Sequence, residues 1–494
     1  MASHGNTIEP LDENLRLGPA AGGIKFGALG LGAICLVVAV VLSFLTGDAD
    51  QKTAAHARFY HSYLTGFTYC LTIALAGLFF TMMQHLVKVG WSVNVRRVPE
   101  ALAGTLPYLG ILAIPLLIPV IGNKGGELYP WASPHGDGPA HHAAAQPAAI
   151  DAQFAAADAH AATAAAAEHH AAGGHDATHA DSTHEEHASG HTPGEHSKYD
   201  YHTYDSIAAM KAPWLTNWFF TLRVIFYFAA WTGLAYYFYN ASKRQDVTGD
   251  IAISQRLALV APVGIITFAL TLTFAMFDFV MSLDHHWYST MFGVYMFAGG
   301  MIAMFATCIV TFMALQSRGF VRESVTTEHY HDLGKYLFAF IFFWGYVGFS
   351  QFMLQWYASI PEATPWWARR GVTSADLGHN TIGLESGFAG LSLVLLFGHF
   401  LIPFAYLISR HIKRSREALL VGAAWMLVAH MVDMYWLIMP EYDNGKWIFD
   451  FTVILTIVGV LGLFLFSFVQ VLGGANLRPI RDPRAPESLA FTNM

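Results

Sequence analysis

Ten apolar runs constrain this chain more than any other feature. They lie near residues 26–46, 60–87, 101–121, 214–240, 253–280, 290–315, 334–358, 384–409, 417–440 and 450–473. Each is long enough to cross about 30 Å of hydrocarbon as a helix. A backbone in lipid has to satisfy its own hydrogen bonds, so runs of this length are read as helices. The expected fold is an all-α membrane protein with ten transmembrane helices. A chain of 494 residues that is 54% hydrophobic and only 13% charged is not a soluble globule. The first run is too long and too poorly flanked for a cleaved signal peptide, so it is read as a retained helix.

An even number of spans puts both termini on one side. Of the 27 lysines and arginines, eighteen fall on that side, including Lys243-Arg244 and the Arg410–Arg416 cluster; eight fall on the other, and Arg223 lies inside a span. The positive-inside rule then makes both termini cytoplasmic. Residues 1–23 and 476–494 are read as tails, 24–121 as helices one to three, and 213–475 as helices four to ten. The segment 122–212 is an outward loop rich in alanine, glycine and histidine, with thirteen histidines from His135 to His202. Its composition suits disorder, with a short helix over Ala148–Ala167 allowed by alanine propensity. Weak binding of zinc, nickel or copper competes with a flexible spacer, which is favoured because no fixed ligand spacing is present. Cys35, Cys70 and Cys308 each fall within an apolar run, and no CxxC spacing exists. The chain therefore offers no cysteine-ligated zinc, c-type haem or iron–sulfur cluster, and the cysteines are read as packing residues. No Walker A loop, dinucleotide fingerprint or soluble catalytic domain is present, and nothing points to nucleic acid.

The polar residues within this apolar chain carry the functional signal. Between the fifth and sixth runs, Ala275–Thr290 brings together Asp278, Asp284, His285 and His286. An acid at the membrane centre costs about 2.5 kcal/mol or more on insertion scales, so such groups are functional candidates. The plainer alternative is a polar hairpin in the interface, anchored by Trp287 and Tyr288. Further candidates are His85 in the second span, Arg223 in the fourth, Glu385 and His399 in the eighth, and His430 and Asp433 in the ninth. His430 and Asp433 are three apart, share a helix face and could hydrogen-bond. Glu385 and His399 are fourteen apart, close to four turns, and lie along one stripe. Gln351 and Gln355 form a polar pair on the seventh span. Such a set suits a proton relay. It also suits inter-helix hydrogen bonds with one buried ion pair, Arg223 with Glu385 or Asp433. Those hydrogen bonds are worth only about 0.6 kcal/mol each on average, a weak reason to keep ionisable groups there.

Phe277-Asp-Phe-Val-Met-Ser-Leu-Asp-His-His-Trp-Tyr-Ser-Thr-Met-Phe-Gly-Val-Tyr295, followed by Phe297-Ala-Gly-Gly300, resembles the NrfD/PsrC-like membrane subunits. Supporting stretches are Gln84–Arg97 and Gln355–Glu362. Within these subunits the chain looks most like the F-type subunits (ActF) of alternative complex III, a quinol:cytochrome c or quinol:acceptor oxidoreductase. The resemblance covers most of residues 24–475 but not the His-rich loop. Relatives commonly have proline where this chain has His285; either a protonatable group is added or the turn closes differently. The resemblance implies two four-helix bundles, spans two to five and six to nine, flanked by spans one and ten. It implies a bacterial inner (cytoplasmic) membrane and no cofactor in this subunit. The implied partners are an ActC-type quinol-site subunit, an ActB-type periplasmic iron–sulfur subunit, c-type haem subunits, often a terminal oxidase, and lipids. It places Asp278, Asp284, His285 and His286 where the family has its outward quinol or proton-exit site. The expected role is proton translocation, with a track through His430, Asp433, Glu385 and His399 and an inner entry at His85. Rival readings are a subunit that itself binds and oxidises menaquinol, a structural scaffold, and a metal-ion transporter.

Overall fold

The structure is a computed structural model that describes residues 14–18, 20–45, 49–122, 127–132, 210–358, 360, 363–373, 387–442 and 450–492. Glu385, nearly all of the His-rich loop and the Ala148–Ala167 segment lie outside the described residues. Among the described residues, ten helices are long and apolar enough to cross a membrane. They are α1 (Ala21–Leu45), α2 (Lys52–Val87), α3 (Arg97–Ile121), α4 (Asn217–Thr248), α5 (Ile251–Leu283), α6 (Phe292–Ser317), α7 (Thr327–Tyr357), α8 (Ala389–Leu407), α9 (Arg416–Glu441) and α10 (Phe451–Leu472). The architecture is that of an all-α, multi-pass membrane protein.

Helices α2 to α5 form one four-helix bundle and α6 to α9 a second. The bundles join where α2 packs against α6 and α9, and where α5 meets α6. Accordingly α2 and α6 are the most enclosed helices, with 78% and 72% of their apolar windows buried, against 28% for α7. Helices α1 and α10 flank the bundles as a pair on one side, packed on each other and, through α10, on α2.

Several helices exceed their apolar runs because local chemistry carries them into polar surroundings. Helix α7 starts at Thr327, ahead of its apolar run, because the backbone N–H of Thr326 donates to His329 Nδ1 at 3.2 Å and closes a cap. Helix α3 is broken into Arg97–Ala103, Leu106–Leu112 and Ile114–Ile121. Pro107 and Pro115 stand near the starts of the later pieces, where a missing N–H costs least. Helix α8 contains a π-helical turn over Leu395–Leu401, which carries His399.

The C-terminal residues pack back onto the helix ends. Ser488 Oγ donates to the Trp91 carbonyl at 2.6 Å and lies 3.2 Å from His329 Nε2. Asp482 pairs with Arg96 at 2.7 Å. Arg96 and Arg97 also share Glu100, at 2.8 and 2.9 Å, and Arg97 reaches Asp246 at 2.5 Å. These buried charges sit at the face of the termini and lock α3, α4 and the C-terminal segment together.

The α1–α10 crossing depends on small residues. A Cβ on Gly32 would lie 2.9 Å from the Gly459 carbonyl oxygen and 2.9 Å from the Leu463 nitrogen, whereas one on Gly30 would meet nothing within 4 Å. Close backbone approach of this kind is how helices associate in lipid. Gly32→Val is therefore expected to destabilise the pair by about 1–3 kcal/mol through overpacking. Gly30→Val should leave the thermal midpoint in detergent unchanged, and equal effects of the two would refute the crossing.

Candidate functional site

Apart from His85, the described ionisable residues singled out in the sequence fall into three places. The first is within the α4–α5 bundle. Asp278, fully buried, accepts from Arg223 Nε (2.8 Å) and Tyr227 Oη (2.8 Å) on one oxygen. Its other oxygen accepts from Arg223 Nη2 (2.8 Å) and Trp214 Nε1 (3.0 Å). Arg223 also lies 4.1 Å over the Trp214 ring. The buried partner of Arg223 among the described residues is thus Asp278, not Asp433; Glu385, the other partner expected from the sequence, lies outside the described residues. The reason is geometric: both side chains point into the contact of adjacent antiparallel helices, whereas Asp433 belongs to the other bundle. Four donors use up the lone pairs of Asp278, so this carboxylate is a tie between helices.

The second place is the hairpin between α5 and α6. Asp284 closes it as a side-chain turn, accepting from the backbone N–H of His286 at 3.0 Å and of Trp287 at 3.3 Å. Its other oxygen pairs with Arg369, which also binds Glu441 at 2.9 Å; Arg370 holds the remaining oxygen of Glu441 at 2.8 Å. Arg370 is fully buried with its guanidinium 3.4 Å over the Trp366 ring, and Trp366 stacks on Trp287 at 4.1 Å. Gln355 Oε1 accepts from Trp287 Nε1 (3.3 Å) and Trp367 Nε1 (2.7 Å), and Gln351 accepts from Ser289 (2.9 Å). The polar pair on the seventh span therefore staples the hairpin to α7.

Charge in the hairpin follows from this packing. Burial alone would push the Asp284 carboxyl up, but Arg369, then His286 and His285, outweigh it and hold it at about 2. Burial and the neighbouring His285 push His286 down from 6.5 to about 3 despite Asp284, and burial also lowers His285. The two imidazoles, 3.9 Å apart between ring centres, are held neutral.

The third place is the core of the α6–α9 bundle, where it meets α2. Asp433, His430 and His399 are all fully buried, and one ligating atom from each lies within 4.8 Å of the others. One oxygen of Asp433 accepts from Tyr295 Oη at 2.5 Å and the other from Trp344 Nε1 at 3.2 Å. No cation pairs with it among the described residues. His430 and Asp433 do share a helix face, but His430 bonds Thr72 of α2 rather than Asp433, at 3.0 Å through Nε2. The ring of His399 lies 3.9 Å from that of Trp344, and neither of its nitrogens has a partner among the described residues. His430 Nδ1 likewise has no partner among the described residues.

His85 stands apart from these groups, near the end of α2; its Nε2 and the side-chain amide of Gln84 have no partner among the described residues. Trp214, Tyr227, Tyr295, Trp344, Thr72, Arg369, Arg370 and Glu441 complete the three places and were not singled out in the sequence as site residues. Tyr295 ends the quoted motif, and Arg369-Arg370 follow two tryptophans in an apolar setting; both were visible signals. Comparison with family models and with curated proteins gives no match.

Two predictions follow from the paired charges. Arg223→Ala leaves Asp278 buried without its cation and should destabilise the protein by about 3–5 kcal/mol, read as a lower thermal midpoint. The depressed histidines make the hairpin pH-sensitive. A folded value below the unfolded one stabilises above pH 6.5, and that stabilisation is lost as pH falls toward about 3. The slope is at most about 1.4 kcal/mol per pH unit for each proton. A His285→Asn/His286→Asn double variant should lose stability less steeply than the parent over this range, and parallel curves would refute the coupling.

Proposed function

We propose that this chain is a membrane subunit of a bacterial respiratory quinol:acceptor oxidoreductase of the alternative complex III type, and that it contributes a proton path rather than electron transfer. The termini then face the cytoplasm and the hairpin faces outward. The observation that carries this reading is Asp433. It is a carboxyl group buried in a membrane-spanning bundle, with two donors but no cation among the described residues, beside two imidazoles with unused nitrogens. Retaining such a group is costly, and a role in holding and passing protons accounts for it. Helix α2 links it to the side of the termini: Thr72 touches His430, and Gln84-His85 lie twelve and thirteen residues further along, about 20 Å at 1.5 Å per residue. Outward from Asp433, Tyr295 lies on the first turn of α6 below the hairpin. The resemblance of the long hairpin motif to NrfD/PsrC-like subunits supports the respiratory assignment, and the companions it implies are a quinol-site subunit, an iron–sulfur subunit and c-type haem subunits.

The three places differ in what substitution should do. Asp433→Asn in the intact assembly should lower the number of protons moved per electron while quinol oxidation continues. Asp278→Asn should act on stability, because its oxygens are already saturated. An unchanged proton-to-electron ratio in Asp433→Asn would end the proton-path reading. Purification without haem or iron–sulfur companions would end the respiratory one.

A further inference from the structure

We infer that His399, His430 and Asp433 form a binding site for a divalent transition-metal ion of the zinc class, buried between α8, α9 and α6. The setting of His430 points to it. Thr72 Oγ1 lies 3.0 Å from the Tyr69 carbonyl and 3.0 Å from His430 Nε2; when the hydroxyl donates to the carbonyl, the imidazole donates to the hydroxyl oxygen. With the proton on Nε2, Nδ1 carries a lone pair, and it has no partner among the described residues. A ligating histidine commonly donates its other nitrogen to a neighbouring oxygen, which fixes the ring and raises its basicity. Thr72 occupies that place.

The other two groups match. Asp433 accepts one hydrogen bond on each oxygen, from Tyr295 and Trp344, which orients the carboxylate and leaves lone pairs over. His399 is fully buried with both nitrogens unpartnered among the described residues, and its ring is braced against Trp344. Two imidazoles and one carboxylate suit zinc better than calcium or magnesium, which prefer all-oxygen shells. Three protein ligands leave a fourth position for water. Metal bonds of about 2.0–2.1 Å hold tetrahedral ligand atoms roughly 3.4 Å apart. The present spread, within 4.8 Å, closes by side-chain movements of about an ångström. Gly299 keeps the space open: a Cβ there would lie 3.1 Å from His430 Nδ1 and 3.7 Å from an Asp433 oxygen.

The site does not depend on the respiratory assignment. Where both hold, metal and proton compete for the same lone pairs, so bound zinc would stop proton passage through this cluster.

The test is equilibration of the full-length protein, with any companion subunits retained, against Zn2+ followed by a weak chelator wash. Zinc per chain is then counted by mass spectrometry. The His-rich loop is present in every sample, so its contribution cancels between variants. The parent should retain one zinc more than His399→Ala or His430→Ala, and its zinc absorption edge should show imidazole and oxygen ligands only. Thr72→Val keeps all three ligands and should weaken affinity by about 10- to 100-fold. It decides the matter where the histidine variants do not fold. Equal zinc retention in the parent and in the ligand variants, or unchanged affinity in Thr72→Val, would overturn the site.

Discussion

A carboxylate carried out of water has to meet a cation or enough donors to replace its hydration, and most of this structure is arranged around that requirement. Burying an unpaired ion costs several kcal/mol even after relaxation. Asp278 meets the requirement with Arg223, Tyr227 and Trp214. Asp284 and Glu441 meet it with Arg369 and Arg370, and Glu100, Asp246 and Asp482 meet it with Arg96 and Arg97. Each of these sets joins different helices or segments. Apolar surfaces alone specify contacts weakly in lipid, because the tails are as apolar as the side chains. The ion pairs therefore select which helix faces which.

The pairs lie toward the two faces of the protein, and the bundle interior between them is held by small residues and aromatics. Gly32 lets α1 close on α10, and a Cβ on Gly300 of α6 would lie 2.8 Å from the Thr72 carbonyl of α2. That close approach of α2 and α6 joins the bundles and brings Thr72 within reach of His430. The Asp433 cluster is thus made by the joint between the bundles together with the second bundle's own core, and neither α2 nor α9 could build it alone.

How much of this was legible depends on sequence distance. Ten spans and the hairpin position came from hydropathy, because membrane insertion imposes its length on each run. His430 and Asp433 share a face because they are three apart on one helix. Everything that joins helices was hidden. Arg223 and Asp278 were both recognised as out of place, yet 55 residues separate them, and Asp433, one of the two partners expected for Arg223, belongs to the other bundle. Arg369 and Arg370 counted only as outward positive charges, since their partners Asp284 and Glu441 lie on other segments. Thr72 looked like an unremarkable helix residue, and its part as the partner of His430 depends on a contact 358 residues apart.

The contrast between the hairpin and the Asp433 cluster bears most directly on function. Both hold an acid beside two histidines, and by composition they are equivalent. In the hairpin the acid is matched by Arg369 and the chain's own N–H groups, and Gln351, Gln355 and stacked tryptophans fix the surroundings. Moving a proton or a ligand there means breaking ion pairs that already match the acid. At Asp433 the donors are neutral, three of the four imidazole nitrogens are unspent among the described residues, and glycine keeps the space beside them clear. A proton or a metal ion arriving there supplies positive charge that the protein itself does not provide. Residue type alone does not separate a structural staple from a reactive site; the difference lies in whether the charge account of the buried group is already closed.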